Sequence, residues 1–136
     1  MSCCAKTAFC SLFEVYQGKQ EKNPSLTSID TRTGPSALIR CMGNLEPTSD
    51  LKKRVVVTDS YFTSLSAVIR LMETGYYCIG TIQTRTLGYP AGVKVLKSED
   101  RGTLRMAKLV SCPTLAAIGW RDSKDVHFFV QLHLEI

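Results

Sequence analysis

The strongest constraint on this chain lies between residues 55 and 90, which read as strand, helix and strand joined by short links. Val55-Val56-Val57-Thr58 is β-branched throughout and apolar at three positions, the pattern of a strand buried on both faces of a sheet. It ends on a carboxylate, Asp59. Phe62, Leu65, Val68, Ile69 and Met72 recur at helical spacing, Ser60 or Thr63 can accept the first free amides, and Gly75 can close the helix in the left-handed conformation. A second apolar strand, Tyr77 to Gln83, precedes a turn at Gly88-Tyr89-Pro90. This is a βαβ unit, and ligands of such sheets gather at the carboxyl ends of the strands, where Asp59 falls.

The segments before it are less regular. Cys3 to Tyr16 reads as a strand ending at Gln17-Gly18, with a turn at Lys6-Thr7 and the stub of an earlier strand in front, so the chain is expected to be a fragment of a larger sheet. Residues 19 to 33 are polar and read as an exposed loop. Gly34-Pro35 opens a short helix whose stripe, Leu38, Cys41, Met42 and Leu45, is expected to cover the Val55 to Val57 strand, and Pro47 bars its extension. After Pro90 come a lysine-rich stretch and three predicted strands, Thr103 to Val110, Leu115 to Trp120 and Val126 to Leu132. They form a β meander, either inserted into the first sheet as a subdomain or appended to it.

At 136 residues with 44% apolar content the chain can bury one real core. No apolar run approaches the roughly 18 residues of a membrane span, and the start lacks a signal-peptide core, so a soluble, intracellular protein without membrane partners is expected. Six cysteines without C-x-x-C spacing, and only His127 and His133 beside them, support zinc poorly; buried free thiols are the favoured reading. The net charge of +5 is concentrated. Between Arg85 and Lys124 eight basic residues (Arg85, Lys94, Lys97, Arg101, Arg105, Lys108, Arg121 and Lys124) stand against three acidic ones. That segment is either a polyanion-binding surface, with Arg85, Lys94, Lys97, Arg101, Arg105 and Lys108 as the DNA contacts, or a solvated basic face. Tyr89 and Trp120 are candidates for base stacking, although Trp120 is the better core residue.

Asp59 is the one carboxylate placed for chemistry. It can hold Mg²⁺ or Mn²⁺, act as nucleophile or base, or simply cap the following helix. A haloacid-dehalogenase-type phosphatase needs a second Asp two residues on, where Tyr61 stands. Ser64 and Ser66 lack nucleophile-elbow glycines and a base, which disfavours a serine hydrolase. His127 and His133 read as structural or exposed.

Four ordered blocks resemble those of piggyBac-type transposases (DDE-type, IS4-like). They are Phe13-Glu14-Val15-Tyr16-Gln17-Gly18-Lys19, Asp59-Ser60-Tyr61-Phe62-Thr63-Ser64, Gly80-Thr81-Ile82 closing on Pro90, and Trp120-x-Asp122-x-Lys124-x-Val126. The resemblance implies an α/β fold, an incomplete ribonuclease H-like mixed sheet over residues 1–90 with a β-rich insertion over 91–136. It also implies DNA cutting and strand transfer by metal-bound carboxylates, because two divalent ions about 3.5–4 Å apart need acidic ligands from separate elements. Asp59 matches the second catalytic aspartate, and so is the implied catalytic and metal-binding residue. Cys4 stands where the first belongs, and the third lies beyond Ile136. Where the family shows Asn-Arg after the glycine block, this chain has Arg85-Thr86. The expectation is a nuclear transposase fragment, inactive alone, whose partners are DNA or an intact transposase. Two other readings stay open: a non-catalytic module that binds nucleic acid or a partner through the basic segment, and a metal nuclease with Glu14 or Asp122 as a second carboxylate.

Overall fold

The computed structural model describes residues 2–8, 10–12, 34–45 and 54–131. Two short strands, β1 (Ser2–Cys3) and β2 (Cys10–Leu12), form an antiparallel hairpin apart from the main sheet. Helix α1 (Gly34–Gly43) precedes strand β3 (Val55–Thr58), helix α2 (Leu65–Glu73) and strand β4 (Tyr77–Thr81). Strands β5 (Leu104–Leu109), β6 (Cys112–Arg121) and β7 (Asp125–Gln131) complete a five-stranded mixed sheet of order β3-β4-β7-β6-β5. Only β3 and β4 are parallel, as a helical crossover requires; the rest of the sheet is antiparallel. The change of character after Pro90 is therefore a change of connectivity within one sheet, since β7 pairs directly with β4 through Ile79↔Val130, Gly80↔Phe129 and Thr81↔Phe128.

Register decides which side chains are buried. Val56, Cys78, Phe129, His127, Leu115, Ala117 and Ala107 share one face, and with Leu38, Cys41, Met42, Ala67, Val68 and Leu71 of the helices they build the core. The opposite face carries Val55, Val57, Ile79, Trp120, Leu104 and Met106, all exposed. This corrects two expectations. β3 is buried on one face only, with Val57 76% exposed, because it is an edge strand and the described helices lie on the other side. Trp120 is 42% exposed on that bare face and is no core residue.

The helices follow their sequences closely. Pro35 occupies the first turn of α1, and the stripe Leu38, Cys41 and Met42 is buried, with Leu45 packed beside it. α1 lies against α2, and Tyr76 Oη donates to the Met42 carbonyl at 3.4 Å. Ser64, rather than Ser60 or Thr63, caps α2, its Oγ accepting from Ala67 N at 3.1 Å. At the other end Gly75 (φ +87°) closes a Schellman turn: its amide donates to Met72 O, and Tyr76 N donates to Leu71 O.

The reading of all six cysteines as buried is also corrected. Cys41 and Cys78 are buried and Cys112 half-buried, but Cys3, Cys4 and Cys10 ride on the separate hairpin and are exposed. Residues 13–33, including the Phe13 block and Glu14, lie outside the described residues.

A strap formed by Tyr89–Val95 crosses the helix-bearing side of β6 and β7. Tyr89 Oη donates to Ile118 O at 3.0 Å, and Val95 N donates to His127 Nε2 at 3.2 Å. The acceptor role of Nε2 places the imidazole proton on Nδ1. Burial pushes His127 below its ordinary 6.5, Asp125 opposes the shift, and Lys94 adds to it. The unfolded imidazole therefore takes up a proton before the folded one. Stability from this group is complete above about 6.5 and is lost as pH falls through the depressed folded value. The urea midpoint, read by emission of the single Trp120, should accordingly drop between pH 7 and pH 5. His127→Gln should shrink that drop, and an undiminished drop in the variant would assign it to other groups.

Candidate functional site

The turn between β3 and α2 is built by its own short side chains. Asp59 directly follows β3, and its Oδ1 accepts from Tyr61 N at 2.9 Å and from Phe62 N at 3.4 Å. Its carbonyl accepts three donors: Phe62 N, Thr63 N and the Thr63 hydroxyl, the last at 2.6 Å. Thr63, buried, also meets Thr58 Oγ1 at 2.8 Å, tying the turn back to the strand. A side chain at Gly80 has no room beneath this lock, since a Cβ there would lie 2.5 Å from both threonine hydroxyl oxygens. The block Asp-x-x-x-Thr-Ser is thus explained locally. Asp59 shapes the turn, Thr63 fastens it, and Ser64 starts the helix.

The arrangement leaves Asp59 exposed at the carboxyl end of the sheet, with Oδ2 unpartnered among the described residues. That oxygen can ligate a cation or accept a proton. The donor set around it does not fit a resident divalent ion, because no group of three or more His, Cys, Asp or Glu side chains that could hold a metal exists among the described residues. Asp122 is ion-paired with Arg101 at 2.6 Å in the β6–β7 turn, and Glu14 lies outside the described residues. Cys4 is exposed on the opening hairpin, and hydrogen bonds from Thr7, with the Lys6 amide, hold its thiol below the ordinary value.

The basic residues divide into two sets. Arg105 is half-buried, donating to the Lys94 carbonyl at 2.5 Å and pairing with Glu99, whose other oxygen accepts from Leu96 N at 2.5 Å. Arg121 donates to Lys97 O at 3.1 Å, and Arg101 holds Asp122. Together these contacts gather Lys94, Lys97, Arg101, Arg105 and Arg121 around the 94–103 loop, where much of the guanidinium charge fastens the loop to β5 and β6. The exposed cations Arg85, Lys97, Lys108 and Lys124 have no ion pair among the described residues. Arg85 follows β4 and bonds Gln83 Oε1, while Lys108 stands on the bare face of β5, so neither joins the loop cluster. Tyr89 is buried against His127 and Phe129 and cannot stack on a base, whereas Trp120 is free to do so. What a sequence reading misses here is the set of acidic partners, Glu99 and Asp122, whose spacing from the arginines gives no periodic signal.

The family described as Transposase IS4 matches residues 1–134 of this chain. Among solved structures, the chain is similar to the cryo-EM structure of a piggyBac transposase synaptic complex with hairpin DNA. That match has a TM-score of 0.58 at 17% identity and covers 73% of this chain. It spans 21% of the transposase chain in that structure. No curated protein matches.

Three substitutions test the turn. Gly80→Ala forces a methyl group between Thr58 and Thr63 and should cost on the order of 1–3 kcal/mol. Asp59→Ala removes the acceptor for two amides and should cost about 1 kcal/mol, most of it restored by Asp59→Asn. Urea melts rank the three; equal stability of Gly80→Ala and the wild type would contradict the packing described.

Proposed function

Because the chain belongs to the Transposase IS4 family and carries a piggyBac-like transposase domain, we propose that it is a portion of the catalytic domain that does not cut DNA by itself. In this reading residues 1–90 are part of a ribonuclease H-like core and residues 91–136 a β-rich insertion that has joined the same sheet. The observation that carries the proposal is the isolation of Asp59. A strand-end carboxylate is held in place by a rigid turn, yet no metal-holding group of side chains stands around it among the described residues. One carboxylate cannot bracket both the attacking and the leaving oxygen of a phosphodiester. Because Asp59 is isolated among the described residues, the remaining ligands for Mg²⁺ or Mn²⁺ are proposed to come from an intact transposase in a joint assembly. The nucleus, where chromosomal DNA lies, is the proposed place of action. No helix among the described residues is long and apolar enough to cross a membrane.

The alternative is a non-catalytic module that binds nucleic acid or a partner through the basic segment. It is favoured by the exposed cations Arg85, Lys97 and Lys108, of which Lys97 lies with Lys94 and the more tightly held Arg101 and Arg105 around the 94–103 loop. The two readings share DNA as a partner and differ in chemistry.

Incubation of the chain with supercoiled DNA and Mn²⁺ should give no nicks, and Mn²⁺ should leave its urea midpoint unchanged. Nicking that disappears in Asp59→Ala would overturn the inactive reading. For binding, the triple variant Arg85→Ala, Lys97→Ala, Lys108→Ala should weaken duplex affinity and lower the slope of log affinity against log salt by roughly three. An unchanged slope retires the binding module.

A further inference from the structure

Three of the six cysteines sit on the opening hairpin, and the fold gives them different surroundings. Cys3 and Cys10 are register partners on the antiparallel strands β1 and β2, next to a register shift between Ser2 and Cys3. Directly opposed residues on such strands have Cα atoms about 4.5–5.5 Å apart. That spacing lies within the range of about 4.4–6.8 Å that a disulfide spans without backbone movement. Both thiols are exposed, and they hydrogen-bond to each other. Cys4, next in the chain, instead takes its hydrogen bonds from Thr7 and the Lys6 amide.

We propose that Cys3 and Cys10 are a redox-active dithiol, which a low-molecular-weight disulfide of the glutathione class oxidises to a cross-strand disulfide. One cysteine, as thiolate, attacks a sulfur of the oxidant; the oxidant's S–S bond breaks, a mixed disulfide forms, and the released thiolate takes up the proton. The second cysteine gives its proton to solvent and attacks the protein sulfur of the mixed disulfide, expelling the second glutathione thiolate, which is protonated in turn. Two protein thiols lose two electrons, and one small disulfide becomes two thiols.

Loss of surrounding water, then the hydrogen bond and charge of Cys10, raise the Cys3 thiol above its ordinary value, so less of it is thiolate and its attack on an oxidant is slowed. Cys4 has the opposite bias and reacts with a small disulfide sooner. Its hydrogen-bond partners are a hydroxyl and amides, so its adduct remains a single mixed disulfide. The consequence for the fold is local. An isolated two-stranded hairpin is marginally stable in water, and the cross-link removes open conformations from its unfolded ensemble. The state of the pair therefore sets whether the hairpin is held closed.

The proposal rests on the hairpin register and is independent of the transposase reading. The reduced full chain, incubated with glutathione disulfide, acid-quenched and alkylated, should yield a Cys3–Cys10 cross-linked peptide on mapping by mass spectrometry. Cys4→Ser should form the same cross-link and remove ambiguity between neighbouring cysteines. Adding Cys3→Ser or Cys10→Ser to it should leave the remaining cysteine as a glutathione adduct. Separate glutathione adducts on Cys3 and Cys10 in the Cys4→Ser chain, or a cross-link from either to Cys41, Cys78 or Cys112, overturn the proposal. Trp120-monitored urea melts of each variant should match the wild type, since the hairpin lies outside the five-stranded sheet.

Discussion

The structure depends on one pairing, that of β4 with β7. Without it the chain is two pieces: a βαβ unit with two strands, and a three-stranded meander. Neither piece covers its apolar face alone. With the pairing, Phe129 comes opposite Gly80, and Leu115 and Ala117 continue a surface already begun by Val56 and Cys78, so that the core under α1 and α2 extends from β3 and β4 onto β7 and β6. The strap at Tyr89–Val95 then closes over β6 and β7, anchored on His127 and on the Ile118 carbonyl. The β-rich segment is thus part of the scaffold that holds the strand-end aspartate.

The geometry at Asp59 separates two roles that a single residue can combine. One carboxylate oxygen is spent on the turn, accepting from Tyr61 and Phe62, while the other faces outward. A residue of this kind stays ordered whether or not it has chemical work to do. Its presence therefore carries less functional information than the neighbours it has, and among the described residues those neighbours supply no further metal ligands.

Much of the local structure was legible because it follows from periodicity. The α1 stripe, the α2 stripe with its closing glycine, both parallel strands and the meander stand close to where pattern places them, with boundaries shifted by a few residues. What was not legible depends on distant partners. Val-Val-Val-Thr reads the same whether one or both faces of a strand are covered, and only the one-sided placement of the helices makes Val57 an exposed residue. The β4–β7 contact joins positions about fifty residues apart and leaves no local trace. Counting charge between Arg85 and Lys124 likewise gave the right excess but not its disposition, since Arg105 is committed to Glu99 and Arg101 to Asp122. At the site, the turn chemistry of Thr63 and Ser64 was assigned one position off, because several adjacent hydroxyls could serve as the cap.

The long separation between β4 and β7 also bears on synthesis at the ribosome. β4 emerges with one edge paired to β3 and the other open, and it waits for roughly fifty further residues before β7 can dock. At translation speeds of about 5–20 residues per second this interval is on the order of several seconds. Throughout it, Tyr77–Thr81 presents unpaired backbone groups beside the exposed Val55, Val57 and Ile79. The nascent chain consequently carries an open sheet edge beside exposed apolar side chains at this stage, until the final hairpin arrives to close the sheet.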